Sequence, residues 1–296
     1  MAQTLRLPDG RELEFLTGGD ESGFPLVYHS GTPSAAVHDR AFWDAASAAG
    51  LRLVTYSRPG YGESTPRPEP IRWPVPIAAD ADDTAALLDH LGMDDFVTLG
   101  WSGGGPRALA CAATMPGRCR AATALAGVAP FDADGLDWLA GMGPENVRDF
   151  RAAAAGRDVF RTIADEQAAE LAAVTADDIV EALGGLVDEV DAAALTGEFA
   201  EAVSASFRHA VAQGSGGMLE DTLQIVRPWG FDVADITVPV SVWQGAHDKM
   251  VPFDHGTWLV QQIPGARAHL HDDEGHLSLV ARIDEILTDL RDLAGL

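Results

Sequence analysis

The chain has 296 residues, is 47% hydrophobic and carries 45 acidic against 20 basic side chains, for a formal net charge of −25. Such apolar content excludes disorder, and the length accommodates one large core with an inserted subdomain. The charge argues against nucleic acid as a partner, because binding a phosphate backbone requires clustered Lys and Arg and Lys249 is the sole lysine.

Met1 to Phe15 lacks the basic stretch, apolar stretch and small-residue cleavage site of a targeting leader, and no later segment stays apolar for about 18 residues. A cytoplasmic protein without a membrane anchor is expected, acting on a small molecule as a monomer or homodimer. Cys111 and Cys119 match neither a CxxC pair nor a zinc spacing, and are expected as small buried apolar groups.

Apolar, β-rich runs at Glu12–Thr17 and Pro25–His29 predict the first core strands. The second leads into His29-Ser30-Gly31-Thr32-Pro33. Alone this is an ordinary turn, but it lies where acyl-transfer chemistry needs a backbone N–H aimed at the substrate oxygen, and Thr32 N–H is expected to be one oxyanion donor. Val37–Ala49 predicts a helix and Leu51–Ser57 the next strand. The following Arg58-Pro59-Gly60-Tyr61-Gly62 lacks the Lys-Ser and helix start of a phosphate loop, so its glycines are expected to shape a turn at the mouth of the site. Pro66–Pro76 is expected as a stiff surface loop, followed by a helix over Ile77–Leu91.

Phe96–Gly100 predicts a strand and Pro106–Met115 a helix whose first turn accepts Pro106. Between them lies Gly100-Trp101-Ser102-Gly103-Gly104. A bare Gly-x-Ser-x-Gly is a common turn; the strand before it and the helix after it are what make a nucleophile elbow. A serine hydroxyl is a weak nucleophile that must stand at the sheet's carboxyl edge, where a base can reach its proton. The helix N-terminus behind it favours developing negative charge. Ser102 is therefore the expected nucleophile and Gly103 N–H the second oxyanion donor.

From about Phe131 to Gly230 the chain has Ala-rich helical runs, such as Val147–Ala155 and Glu198–Ala212, and no convincing strand. The expected organisation is a core from residues 1–130 and 231–296 with an all-helical cap at 131–230. Trp138, Met142, Phe150, Phe160, Met218, Trp229 and Phe231 are expected mostly to dock this lid, with some lining an apolar pocket, and the lid's carboxylates leave cationic groups open as ligands.

Strands and helices alternate again at Val238–Gln244, Phe253–Gln262, Ala266–His271 and Leu277–Leu293, predicting a mostly parallel sheet covered on both faces. Asp248 follows the first of these strands and His276 the second. Asp248 is expected to accept the Nδ1 proton of His276, so that Nε2 takes the Ser102 proton and returns it to the leaving group. His247, His255, His269 and His271 compete for the base role and are expected at the surface or in packing. His269 and His271 do not make a metal site without further spaced ligands, and no metal or organic cofactor is expected. Asp272, Asp273 and Glu274 are expected to be solvated, with a secondary upward effect on the base.

Ser57-Arg58-Pro59-Gly60-Tyr61-Gly62-Glu63-Ser64, the elbow, Gly245 to Pro252 and Gly275-His276-Leu277 together resemble the α/β-hydrolase superfamily, specifically its capped esterase-like members. The resemblance covers the core and leaves the middle unmatched. It implies an eight-stranded sheet and a Ser102, Asp248, His276 triad acting through an acyl-enzyme. Serine rather than aspartate at the elbow argues against the haloalkane dehalogenase and epoxide hydrolase branches. Ser30 between His29 and Gly31 departs from the commonest His-Gly oxyanion motif. The expected activity is hydrolysis of a small, largely apolar carboxylic ester or lactone. The alternatives are a carbon–carbon bond hydrolase or aminopeptidase using the same triad, or a non-catalytic ligand-binding protein of the same fold.

Overall fold

A computed structural model describes residues 2–68 and 74–296; part of the Pro-rich segment, residues 69–73, lies outside them. The apolar runs pair into one sheet of eight strands, in the spatial order β1-β2-β4-β3-β5-β6-β7-β8. These are β1 Gln3–Arg6, β2 Glu12–Gly19, β3 Phe24–His29, β4 Leu51–Tyr56, β5 Phe96–Trp101, β6 Cys119–Leu125, β7 Val240–Gly245 and β8 Arg267–His271. The β1–β2 and β2–β4 pairs are antiparallel and the remaining pairs are parallel.

Helices cover both faces because successive strand residues point to opposite sides. On one face Val27, Val54, Phe96 and Val242 pack with Leu87 of α2 (Asp80–Leu91), Leu109 of α3 (Gly105–Thr114) and Leu259 of α10 (Phe253–Gln262). On the other, Leu26, Leu53, Val97 and Leu125 pack with Phe42 and Ala46 of α1 (Arg40–Ala48) and with Ile286, Leu287 and Leu290 of α11 (Ile283–Ala294). Each such buried side chain contributes about 1.5–3 kcal/mol. Local signals set the ends: Asp39 caps α1 by accepting from Phe42 N–H, and Gly92 closes α2 in the left-handed conformation.

Between β6 and β7 the described elements are all helical: α4 Pro144–Ala155, α5 Arg157–Leu171, α6 Ile179–Leu183, α7 Glu189–Ala194, α8 Gly197–Ala210 and α9 Gly216–Ile225, with two short 3-10 turns. This is the cap insertion. It packs on the core at several places. Phe160, Ala164, Leu219 and Leu223 cluster with Ala35 and Tyr61. Val174, Ile179, Leu195 and Val203 cluster with Leu277. At its periphery His209 of α8 pairs with the buried Glu14 of β2 at 2.8 Å. No described helix is long and apolar enough to cross a membrane.

The register aligns the strand ends that matter. His29 of β3 lies opposite Gly100 of β5, Leu125 of β6 opposite Trp243 of β7, and Gly245 of β7 opposite His271 of β8. The loops carrying residues 30–32, 102–103, 246–252 and 272–277 therefore leave the same edge of the sheet.

Candidate active site

Ser102 follows directly on β5 and opens the 3-10 turn that leads into α3. Its φ is 56°, a left-handed conformation that a non-glycine residue occupies at a strain of about 1–2 kcal/mol. The turn closes only because its neighbours lack side chains. A methyl on Gly100 would lie 2.1 Å from Gly104 O, and one on Gly104 would lie 2.0 Å from His29 O. The sharp turn pushes the Ser102 side chain onto the wall of a cavity.

His276 and Asp248 meet at the adjoining strand ends. His276 Nδ1 is 2.8 Å from Asp248 Oδ2, and both residues are buried. Asp248 has all its acceptor directions used: Met250 N–H and Val251 N–H donate to Oδ1 at 2.8 and 2.7 Å, and Gln244 Nε2 donates to Oδ2 at 2.9 Å. Because a carboxylate only accepts, the neutral imidazole carries its proton on Nδ1 and presents Nε2 as an acceptor. Burial works against the charged imidazole, but the Asp248 carboxylate, its hydrogen bond and a further carboxylate, Asp191, outweigh it and raise the His276 pKa. Trp101 links this pair to the elbow: its Nε1 donates to His276 O at 3.3 Å and its ring lies 5.6 Å from the imidazole. No hydrogen bond joins Ser102 Oγ to His276 among the described residues.

Thr32 and Gly103 face one another beside Ser102. A methyl on Gly103 would lie 3.3 Å from Thr32 N, and one on Gly31 would lie 3.4 Å from Ser102 Cβ. Both loops are held from behind by two buried guanidiniums. Arg58 donates to Ser30 O at 2.7 Å and Gly31 O at 2.6 Å, and Arg107 donates to Gly103 O at 2.7 Å. The two arginines share Asp221 of α9, at 2.6 and 3.1 Å, and Thr32 Oγ1 donates to the same carboxylate at 2.8 Å. Burial alone would raise the Asp221 pKa; Arg107 and Arg58 instead hold it down at about 2. An ionised, buried carboxylate from α9 thus stands behind the Thr32 and Gly103 loops.

The cavity in front of Ser102, Gly103 and Thr32 has a volume of about 270 Å³, at the small end of sites for organic molecules. Phe150, Phe160, Leu171, Leu186, Phe207 and Met218 give it an apolar wall from the cap, and Val128 and Val251 from the core. Glu145, Asp149 and Glu170 line it as well; Asp149 is engaged by Arg148 at 2.8 Å and Gln167 at 2.6 Å. Of the seven aromatic and methionine side chains singled out in the insertion, Phe150, Phe160 and Met218 line the cavity, while Trp138, Met142, Trp229 and Phe231 pack into the core.

The competing histidines have other tasks. His255 accepts from Ala129 N–H and contacts Trp138 O, His269 and His271 stack on Trp243, and His247 pairs with Asp188. Cys111 and Cys119 are free and buried. Sequence reasoning missed Arg58, Arg107, Asp191 and Asp221. Arg58 stood inside a loop read only for its glycines, whereas the two aspartates lie in the insertion with no local motif around them.

The chain matches the alpha/beta hydrolase fold family over residues 25–281. Among curated proteins no match is found. Solved structures share the whole fold. An alpha/beta hydrolase fold protein from Nakamurella multipartita is 26% identical, with a TM-score of 0.64 and coverage of 100% of both chains. A thermophilic esterase from Thermogutta terrifontis is 21% identical, with a TM-score of 0.64 and coverage of 99% of each chain. An enol-lactonase from Burkholderia xenovorans is also 21% identical, with a TM-score of 0.62, covering 99% of this chain and 100% of that one. The chain is a member of the alpha/beta hydrolase fold family.

Proposed function

We propose that this protein is a serine hydrolase that cleaves a small, largely apolar carboxylic ester or lactone through an acyl-enzyme, with Ser102 as nucleophile, His276 as base and Asp248 as its orienting acid. The observation that carries the reading is the elbow: a strained Ser102 at the wall of an apolar cavity, with the hydrogen-bonded His276–Asp248 pair on the neighbouring loops.

In this reading His276 Nε2 takes the Ser102 proton as Oγ attacks the carbonyl, then gives it to the departing alcohol; water repeats the sequence to release the acid. Catalytic hydrogen bonds are often long in a ligand-free site and tighten with substrate, which fits the open Ser102 hydroxyl. Thr32 N–H and Gly103 N–H stabilise the oxyanion, and Arg58 and Arg107 fix their loops before reaction begins. Residues 131–230 act as the lid over a core of 1–130 and 231–296. The esterase and enol-lactonase among the structural neighbours accord with the bond proposed.

The test is a substrate panel of short acyl esters, lactones, aminoacyl amides and vinylogous diketones. Turnover of esters or lactones, lost by about 10⁴-fold or more in Ser102→Ala, is expected. Preferential turnover of the amides would favour the aminopeptidase reading, for which Glu145, Asp149 and Glu170 in the cavity wall are the favouring observation. Preferential turnover of the diketones would assign carbon–carbon bond cleavage.

A further inference from the structure

The short helix α7 touches both loops that carry the acid and the base. Asp188 caps it, with Oδ1 accepting from Val190 N–H at 2.9 Å and Asp191 N–H at 3.2 Å. The other oxygen of Asp188 is 3.1 Å from Nδ1 of His247, the residue preceding Asp248. One turn on, Asp191 is fully buried against the base loop. Its Oδ2 accepts from His276 N–H at 2.9 Å, and its Oδ1 accepts from Leu277 N–H at 2.7 Å and Ser278 N–H at 2.9 Å. Gly275 permits this approach, since a methyl there would lie 2.4 Å from Asp191 Oδ1.

Three successive N–H groups at the start of a helical turn make a natural carboxylate seat. No Lys or Arg pairs with Asp191 among the described residues; burial raises its pKa, and the Ser278, His276 and Leu277 N–H groups and the neighbouring imidazole favour its charged form. A neutral acceptor could satisfy N–H groups without the desolvation penalty of a charge. A carboxylate strengthens these hydrogen bonds and also favours a positive charge that forms beside it, and the group that becomes positive as Ser102 reacts is His276. An interaction that strengthens as the imidazolium forms favours the transition state over the ground state.

We propose that Asp191 is the positioning residue of the base: from the cap it holds the backbone of His276 and stabilises the imidazolium, so that the site is complete only while α7 is seated on the core. The proposal rests on the reading of Ser102, Asp248 and His276 as the catalytic triad. The charged groups around His276 are Asp248 beyond β7, Asp191 on α7 and, on its own loop, Glu274, which is already engaged by Ser278 and Arg282.

The experiment is the rate of labelling by a fluorophosphonate, followed by intact mass from about pH 5 to 8, on wild type, Asp191→Asn, Asp191→Glu and Asp188→Ala. Ser102 Oγ bonds to phosphorus as fluoride leaves and His276 takes the proton, so the rate reports the base directly. Absence of an adduct in wild type would overturn the triad reading itself. With wild type labelled, Asp191→Asn is expected to slow labelling about tenfold to a hundredfold and to move the midpoint of the acid limb to lower pH, because a negative charge near the imidazolium is gone. Asp191→Glu keeps the charge on a longer arm, so it is expected to slow labelling with the midpoint near that of wild type. A purely structural Asp191 would lower the fraction of protein labelled or its melting temperature, while leaving rate and midpoint of the folded fraction at wild-type values; that result overturns the proposal. Should Asp191→Asn not fold, Asp188→Ala, at a partly exposed side chain, decides: slower labelling supports the clamp and a wild-type rate overturns it.

Discussion

In the sheet core, each residue proposed to react sits just past the carboxyl end of a strand: Thr32 after β3, Ser102 after β5, Asp248 after β7 and His276 after β8. In the cap, the residues that reach the site, Asp191 on α7 and Asp221 on α9, are isolated carboxylates on helix faces, with partners 85 and 163 residues away in sequence. The core thus holds the reacting groups through local turns, and the cap holds those turns through long-range buried charge. Asp221 holds the Thr32 and Gly103 loops through Arg58 and Arg107, and Asp191 holds the His276 loop through backbone N–H groups.

The comparison is tested most severely by removing the shared carboxylate. Asp221→Ala leaves Arg58 and Arg107 buried without their common counter-charge, and is expected to destabilise the fold by about 3–5 kcal/mol, read from the midpoint of urea unfolding. A loss below about 1 kcal/mol would place Asp221 among ordinary surface charges and remove the contrast between cap and core.

The histidine side is sharpened by pH. The proton on the base must be absent for attack, and burial lowers the His276 pKa less than Asp248 and Asp191 raise it. The acid limb of kcat/KM is expected to have its midpoint above the ordinary histidine value and to fall about tenfold per pH unit below it. A midpoint at or under the ordinary value would mean that burial outweighs the two carboxylates.

The smallest effect is expected at the far edge of the cap. His209 donates to Glu14, and that hydrogen bond raises the His209 pKa; burial would raise the Glu14 pKa, but His209, Glu63 N–H and Ser57 lower it. The histidine's contribution is fully present below its unfolded pKa and is lost as pH rises through its raised folded pKa. The carboxylate's contribution is present above its unfolded pKa and is lost as pH falls through its depressed folded pKa. Stability of wild type relative to His209→Gln, measured by thermal unfolding, should therefore be greatest between these limits and amount to about 1 kcal/mol or less. A difference independent of pH would show that the contact acts by packing alone.

The legibility of the chain follows the same division. Strands β2 to β5 and β7 were readable because β-branched, leucine and aromatic residues concentrate in short runs, β8 was read from the returning alternation of strand and helix, and α10 was found at its observed limits. β6 was not, because Cys119–Leu125 has three alanines, a single β-branched residue and no aromatic residue. One of these alanines, Ala124, faces α3, where a methyl on Gly105 would stand 3.9 Å from its Cβ, at ordinary contact distance. β1 was missed because Gln3–Arg6 is a largely exposed edge strand without an apolar run. Ser102, Asp248 and His276 were legible because their turn residues accompany them. Asp191, Asp221 and Arg107 were not, because what distinguishes them from other charges is burial, and burial arises only when distant segments pack. The acidic loop Asp272 to Glu274 illustrates the converse: proximity in sequence suggested an effect on the base, but the second carboxylate beside His276 is Asp191.

Ser102 is proposed as an activated nucleophile, and intact-mass spectrometry after incubation with a fluorophosphonate tests that without assuming a substrate. A single adduct on the wild-type chain, absent from Ser102→Ala, is the predicted result. No adduct on wild type, or an equal adduct on Ser102→Ala, would contradict it.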